Sequence, residues 1–194
     1  MTDEDLMLAV RAGDTSCLAP LFERHHRHLF DYLARMTGNR SVAEDLVQDV
    51  FIRILKYRHT FRDDSQFGTW AFRIARNVRA DHFRGHHMRE TALNEAAEPA
   101  TPEASTADAF EHGRQAARLR RALLLMREDQ RELIVLARYH GMRYEAIADL
   151  LGVEVGTVKT RMHRAIVQLR DIFLGLSEKQ SCSVKQPENG LLTV

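Results

Sequence analysis

The sequence has 194 residues, of which 44% are hydrophobic, so it can form one or two small domains with a mainly aliphatic core. Its formal net charge of +1 conceals strong local asymmetry and says nothing about partners. The two cysteines are far apart in the sequence, which argues against a disulfide framework. The acidic N-terminus argues against a signal peptide, and the apolar runs are too short to cross a bilayer. These features favour the cytoplasm.

The first half of the sequence predicts helices and no strands. Gly13 ends a short first helix, and Gly38 with Asn39 ends the second. Ser41 and Glu44 have the spacing of a capping box, which predicts the start of the third helix. The predicted helices are Asp3–Arg11, Thr15 or Ser16 to Met36, a helix from Ser41, and about Phe67–Phe83.

The middle of the sequence, residues 91–109, is acidic, rich in alanine and weakly periodic, so it predicts a flexible linker. Helices follow at about Ala109–Arg127 and Asp129–Tyr139, then a pair within Gly141–Arg170. The predicted fold is therefore all-α, with two small helical domains at residues 1–90 and 110–175. The polar segment 176–194 predicts a disordered tail.

The pair of helices within Gly141–Arg170 has a tight turn at Gly152 and a second helix with one apolar and one cationic side. An ordinary bundle helix also has a polar side. However, a short helix, a tight turn and a cationic helix are typical of a helix-turn-helix, whose second helix enters the major groove of DNA. The candidate DNA-contacting residues are Thr157, Lys159, Thr160, Arg161, His163 and Arg164.

The fourth predicted helix carries a second cationic cluster, with Arg73, Arg76 and Arg79 at three-residue spacing. A solvated basic side is one interpretation. The other is a nucleic-acid surface, on which the arginines contact phosphates and Asn77 contacts a base edge. We expect Phe61, in the loop before this helix, to be exposed and able to stack on an unpaired base.

The polar side of the third predicted helix carries Asp45, Gln48 and Asp49 early and Arg53 late. Acids near the start and bases near the end of a helix complement its dipole, which explains them without any partner. Alternatively, this side docks onto a positively charged protein helix. The residues alone leave both interpretations open.

Six histidines raise the hypothesis of a metal site: His25, His26, His28, His82, His86 and His87. Adjacent histidines point to different sides of a helix, and no metal-binding motif accompanies them. No motif for catalysis is present either. We therefore expect no metal, no cofactor and no enzymatic activity.

Three segments together resemble bacterial sigma factors of the extracytoplasmic-function (ECF) type, which belong to the sigma-70 family. No single segment is decisive, but their order and spacing are specific. The similarity covers about residues 3–88 and 112–172. The segments are AEDLVQDVFIRILK at Ala43–Lys56, FRDDSQFGTWAFRIARNVRADHFR at Phe61–Arg84, and Gly141–Leu169 with VGTVKTRMHRA at its centre.

The resemblance implies that the chain directs RNA polymerase to promoters. The first domain would bind a coiled coil of the polymerase β′ subunit through Asp45, Gln48, Asp49 and Arg53. The basic helix and the loop before it would melt and read the −10 promoter element. The residues at these motif positions are Phe61 and Asn77, which would hold a flipped base, together with Arg73 and Arg76.

The second domain would read the −35 element as duplex DNA, with Lys159, Thr160, His163 and Arg164 towards bases and phosphates, and would contact the β flap. An anti-sigma protein often holds such factors inactive. Two places depart from the family pattern: Met126-Arg127 stands where Leu-Pro is common, and Met142-Arg143-Tyr144 where a serine or threonine is common. The alternative is a stand-alone helix-turn-helix regulator, which explains the last third of the chain and leaves the first half without a role.

Overall fold

The computed structural model describes the backbone of residues 1–90 and 107–183, and the side chains of residues 1–84 and 113–177. Within those ranges the chain is helical and has no strand, which confirms the predicted all-α class. A π-helical segment, Val135–Tyr139, continues α6. The helices are α1 (Asp3–Ala12), α2 (Leu18–Thr37), α3 (Arg40–Lys56), α4 (Phe67–Glu90), α5 (Ala107–Leu125), α6 (Glu128–Ile134), α7 (Tyr144–Leu151) and α8 (Val155–Ser183).

Short-range signals set the helix ends. Gly13 and Gly38 end α1 and α2 with φ angles of 115° and 74°, in the left-handed region that glycine adopts without strain. The predicted capping box at Ser41 is wrong. The helix begins one residue earlier, because the Asn39 side chain accepts a hydrogen bond from the Val42 amide at 3.2 Å and caps α3.

Two helices are longer than predicted. α4 continues from Phe83 to Glu90, and α8 continues to Ser183, inside the segment 176–194 that was expected to be disordered. α5 begins at Ala107, within the last positions of the predicted linker. The rest of that linker, residues 91–106, and the end of the tail, residues 184–194, lie outside the described residues.

Each half has its own buried side chains. In the first half α2, α3 and α4 pack together around Leu29, Leu33 and Val50, all at most 1% exposed. In the second half α8 packs against α5, α6 and α7 around Leu136 and Val158. Burial of these aliphatic side chains is the main favourable term for folding.

The two halves also pack against each other. α2 contacts α5, α6 and the π-helical segment, and α4 contacts α7. Leu124 of α5 lies over Gly38, where an added Cβ would be only 3.0 Å from its methyl groups. The Arg35 guanidinium lies 3.7 Å from the centre of the Tyr139 ring. The buried residues of both halves therefore form a single cluster.

Candidate nucleic-acid and polymerase interfaces

The cationic side of α8 faces solvent, and buried residues fix the helix from its other side. Val158, Met162 and Ala165 are at most 2% exposed. Gly152 ends α7 with a φ of 66°, so α7 and α8 meet at a tight turn. Among the predicted DNA-contacting residues, Thr157 is half-buried and the others are exposed, namely Lys159, Thr160, Arg161, His163 and Arg164.

The charges on this side of α8 are uncompensated. Within the described part of the chain, no carboxylate pairs with Lys159, Arg161 or Arg164. The Thr160 hydroxyl donates to the Gly156 carbonyl at 3.0 Å, which leaves its oxygen lone pairs free to accept. Cations that are exposed and have no ion-pair partner can bind the phosphates of a nucleic-acid backbone.

The arginines of α4 do not form the open ridge that was expected. The Arg73 Nη2 atom donates a hydrogen bond to the carbonyl oxygen of Asp149, near the end of α7, at a distance of 3.0 Å. Arg76 Nε lies 3.2 Å from Oε2 of Glu132 in α6. Both predicted −10 arginines therefore already bind the second half of the chain, although the Arg76 side chain keeps 40% exposure.

Arg79 departs furthest from the expectation, since only 3% of its side chain is exposed. Its Nη2 atom lies 2.6 Å from Glu128 Oε1 and 3.8 Å from Glu132 Oε1. Tyr32 of α2 donates its hydroxyl to the same Glu132 oxygen at 2.6 Å. Burial, followed by the neighbouring Glu132 carboxylate, raises the pKa of Tyr32 well above its usual value.

Asn77 lies between these arginines along α4, and its side chain is exposed. Its amide binds no other residue in the described ranges, so both its donor and its acceptor are available. A contact between Asn77 and a base edge, which needs such a pair of groups, stays a prediction.

The expectation that Phe61 is exposed is wrong. The side chain is 1% exposed, and its ring packs edge-on against Trp70 and Phe67 at centroid distances of 5.3 and 6.4 Å. Arg11 fixes the backbone there by donating to the Phe61 carbonyl at 2.7 Å. Phe61 is therefore part of the core of the first half and is not placed to stack on a base.

The polar side of α3, which was predicted to dock onto a partner, is exposed. Asp45, Gln48 and Asp49 all point to solvent. Arg53 differs, because its Nη1 atom lies 2.5 Å from a carboxylate oxygen of Asp81 on α4. Hydrogen bonding from Arg53 is the largest influence that lowers the pKa of Asp81. Arg53 thus braces α3 against α4.

Ile52 is an interface candidate that the sequence analysis missed. It lies on the same side of α3 as Asp45, Gln48 and Asp49, which it follows by seven, four and three residues respectively, and it is 63% exposed. An isoleucine in the middle of a polar stripe breaks the amphipathic pattern. That break is the signal that could have identified it. We call these four residues the docking face.

Glu132 was also missed, and it occupies the centre of the contact between the halves. Its side chain is 4% exposed, although glutamate is rarely buried without a partner. The sequence carried a signal here, because this acid directly precedes the apolar run Leu133–Ala137. Such a position predicts a buried carboxylate with cationic partners, which Arg76 and Arg79 supply.

Of the six candidate metal-binding histidines, His86 and His87 have side chains outside the described residues, and His25 and His26 have different partners. His25 is 2.6 Å from Asp3, and the His26 ring stacks on Phe22. Burial lowers the pKa of His140 to about 4, and its ring packs near Tyr32. Among the side chains that the structure describes, no group of three or more potential ligands could hold a metal ion.

Comparison with known proteins matches both halves of the chain. The family profile "Sigma-70 region 2" matches residues 21–89, and "Sigma-70, region 4" matches residues 116–169. RNA polymerase sigma factor CarQ of Myxococcus xanthus is 31% identical over 167 residues, which cover 84% of this chain and 92% of CarQ. ECF RNA polymerase sigma factor SigM of Mycobacterium tuberculosis is 34% identical over 169 residues, covering 87% and 83% of the two chains.

The chain belongs to the sigma-70 family. It is an RNA polymerase sigma factor of the ECF type, and thus a transcription initiation factor. The region 2 match spans almost all of α2 through to the end of α4, and the region 4 match includes α7 and the cationic side of α8. A stand-alone helix-turn-helix regulator is not favoured, because that hypothesis leaves the region 2 match without explanation.

Solved structures resemble the chain over both domains. CnrH, in complex with the cytosolic domain of CnrY, matches with a TM-score of 0.66 and 26% identity over 89% of this chain and 97% of CnrH. The sigma factor RpoE of Bartonella quintana, in complex with the anti-sigma factor NepR, has a TM-score of 0.65, 24% identity and coverage of 79% and 94%. The similarity to RpoE, at 24% identity, shows that the two proteins share a fold. None of the described helices is both long enough and apolar enough to span a bilayer.

Proposed function

We propose that this sigma factor binds core RNA polymerase through α3 and directs it to promoters by reading the −35 element with α8 and the −10 element with α4. The observation that carries the proposal is the exposed side of α8, whose cations have no partner among the described residues. Like charges that are concentrated on a rigid helix repel one another, and this repulsion destabilises the folded protein. Binding of DNA phosphates to these cations would remove the repulsion.

Contacts of α8 with duplex DNA would divide into two kinds. Lys159, Arg161 and Arg164 have the length and charge to reach phosphates or guanine edges in the major groove. Thr160 and His163 offer shorter groups for base edges, and Thr157 lies at the first turn, where a recognition helix approaches DNA most closely. The buried Val158 and Met162 hold this side at a fixed angle.

The −10 contact would use Asn77 and the arginines of α4. Opening DNA costs a few kcal/mol for each unstacked base. A protein offsets this cost by binding the flipped base, and the free amide of Asn77 provides both a donor and an acceptor for that purpose. Arg73 and Arg76 would bind the phosphates beside it. Phe61 is excluded from this role by its burial.

Binding to polymerase would use the docking face of α3. Asp45 and Asp49 supply negative charge for a cationic helix such as that of the β′ coiled coil, and Ile52 supplies an apolar anchor. The second domain would contact the β flap. When both domains are held by one large enzyme, each promoter contact becomes intramolecular, so neither domain needs high affinity of its own.

A protein inhibitor is a further partner that we propose. CnrH, which resembles this chain over both domains, was solved bound to the cytosolic domain of CnrY. We expect an anti-sigma protein to bind this chain in the same cellular compartment as polymerase, the cytoplasm. The proposed activity is binding and strand opening without covalent chemistry, so it requires neither enzymatic residues nor a cofactor.

Transcription in vitro tests the proposal. Core polymerase is incubated with a library of genomic DNA fragments, with and without the protein, and the transcripts are sequenced from their 5′ ends. We expect new start sites that depend on the protein and share two upstream sequence elements. Tight, specific binding of the isolated protein to duplex DNA, without new start sites, would support the regulator instead.

A further inference from the structure

The first helix, α1, contacts both ends of the loop that leads into α4. Arg11, in the last turn of α1, donates from Nη1 to the carbonyl oxygen of Phe61 at 2.7 Å, where the loop begins. Glu4, two helical turns earlier, accepts a hydrogen bond at Oε1 from the backbone amide of Phe67 at 3.2 Å, where the loop ends. Because residues seven positions apart lie on the same side of a helix, one side of α1 holds the whole loop, residues 61–67.

Glu4 stabilises the start of α4 in two ways. Phe67 is the first residue of α4, and the first amides of a helix have no acceptor within the helix itself. The Glu4 carboxylate supplies one acceptor, and its negative charge lies at the positive end of the helix dipole. The first turn of α4 is therefore stabilised by a side chain that lies 63 residues earlier in the chain.

Arg11 also neutralises an acid of the loop. Its Nη2 atom lies 2.6 Å from a carboxylate oxygen of Asp63, whose side chain is 75% exposed. The neighbouring acid, Asp64, pairs with Arg62 at 3.2 Å. Both loop carboxylates therefore have cationic partners, and this lowers their repulsion of a nucleic-acid phosphate. One guanidinium group thus holds the backbone of the loop and neutralises an exposed charge on it.

These polar contacts are additional to the packing that attaches α1 to the first domain. Three apolar side chains of α1 are at most 4% exposed and belong to the core, namely Leu6, Met7 and Val10. Asp3 also pairs with Arg24 of α2 at 2.7 Å. The fold therefore has attachments for α1 that do not involve the loop. The match to the region 2 profile begins at residue 21, so α1 lies before it.

The side of α4 that carries Asn77 continues to the start of the helix. Four polar residues share this side at three- and four-residue spacing, namely Gln66, Thr69, Arg73 and Asn77. Gln66 directly precedes α4, and its exposed amide offers a donor and an acceptor. Since Glu4 binds the next residue, Phe67, α1 fixes the end of the surface to which we assign the −10 element.

We propose that Glu4 and Arg11 are positioning residues for the −10 contact, and that they hold the loop and the first turn of α4 in the conformation in which Gln66 meets an unstacked base. The inference rests on the proposed function of α4 at the −10 element. A loop that is fixed before binding loses less conformational entropy when DNA binds, so it binds more tightly than a loop that must be ordered. Neither positioning residue needs to touch DNA.

Arg11→Met and Glu4→Ala remove these contacts and leave the apolar side of α1 intact. Initiation by core polymerase with each full-length variant is measured on one promoter that wild-type protein recognises, and on copies with a single base changed at each position of the −10 element. The ratio between unchanged and changed templates gives the discrimination at each position. We expect both variants to lower this ratio about threefold or more at positions where Gln66→Ala also lowers it.

The ratio separates positioning from a loss of stability. A variant that folds less well reduces initiation on every template by the same factor, and the ratio then keeps its wild-type value. Adding Arg11→Met to Gln66→Ala should lower the ratio no further, because the two changes act on one contact.

Arg24→Met is the matched control, because it also removes an arginine that pairs with an aspartate across two elements of the first domain. Arg24 binds Asp3 of α1 and no residue of the loop, and Asp3 keeps its hydrogen bond with His25 at 2.6 Å. We therefore expect wild-type discrimination in this variant.

Hydrogen exchange measures the loop in the free protein. Backbone amides of residues 61–70 should exchange faster in Arg11→Met and Glu4→Ala than in the wild type and the control. If circular dichroism shows that Arg11→Met does not fold, Asp63→Ala takes its place, because it removes the same ion pair at an exposed side chain.

Three outcomes overturn the inference. One is wild-type exchange over residues 61–70 in both folded variants. Another is wild-type discrimination in both, or an equal loss in Arg24→Met. The third is a further loss when Arg11→Met is added to Gln66→Ala. Absence of initiation by wild-type protein would instead refute the proposed function, and the exchange experiment distinguishes the two failures because it requires no polymerase and no promoter.

Discussion

Replacing Lys159 and Arg164 together by alanine removes two of the exposed cations of α8. Neither side chain pairs with a carboxylate in the described ranges, and both lie opposite the buried side of the helix, so we expect the stability of the fold to change by no more than about 0.5 kcal/mol. The loss should appear in DNA binding alone. This separation of effects makes the variant informative.

The magnitude follows from what the two side chains contact. If both side chains bind phosphates, their replacement makes the slope of the logarithm of the DNA association constant against the logarithm of salt concentration less negative by about 2. Each neutralised phosphate contributes roughly 0.9 to that slope. If one of them binds a guanine edge, about 1–3 kcal/mol is lost and discrimination at that base relaxes. Either way we expect at least about a tenfold loss of promoter-specific transcription at moderate salt.

The assay is a salt titration of promoter binding by holoenzyme, with polymerase binding measured separately on the same preparations. Arg170→Ala is the matched control, since Arg170 is an exposed arginine of the same helix that already pairs with Asp171 at 2.9 Å. An unchanged salt slope, or lost polymerase binding with intact DNA binding, would refute the assignment of the −35 surface to α8.

Four single substitutions test the assignments in the first domain. Asn77→Ala should impair open-complex formation, followed by permanganate reactivity, more than duplex binding. Asp49→Arg should weaken binding of core polymerase about tenfold or more, because a like charge then faces a cationic partner. Ile52→Ser should weaken it by about 1–2 kcal/mol through loss of apolar contact. Phe61→Ala should destabilise the protein to denaturant by about 3–5 kcal/mol, as expected for a buried ring.

Each of these substitutions has a control or an opposite outcome. Equal loss of duplex binding and strand opening in Asn77→Ala would argue against base capture. Glu23→Arg reverses an exposed acid on a different helix of the first domain, α2, and should leave polymerase affinity unchanged. Phe83→Ala removes a ring that is 45% exposed, so it should destabilise much less than Phe61→Ala. Similar losses in the two would mean that Phe61 is not a core residue.

Local signals in the sequence predicted the helices well. Left-handed glycines ended helices at Gly13, Gly38 and Gly152, because glycine adopts that conformation without strain. Apolar periodicity placed Val158 and Met162 on the buried side of α8, and their burial fixes the exposed side. The start of α3 was missed by one residue, since Asn39 and Ser41 are both good caps and the sequence does not rank them.

The positions of side chains between elements were harder to predict. Phe61 lies in a loop, and only the packing of Trp70 and Phe67 around it decides that it is buried. Arg76 and Arg79 appear on the same basic side of α4 as Arg73, but their environment depends on carboxylates 49 to 56 residues further along the chain. Periodicity describes one helix at a time, so it could not reveal that α6 covers this surface.

Footprinting of the holoenzyme on one of its own promoters tests the central claim most directly, because the claim is that one chain contacts closed DNA with one domain and opened DNA with the other. With core polymerase and this protein, we predict protection of duplex DNA near −35 together with permanganate-reactive thymines near −10, and loss of only the first signal in the Lys159→Ala, Arg164→Ala variant. Protection without any strand opening, or opening that core polymerase achieves without this protein, would contradict the account.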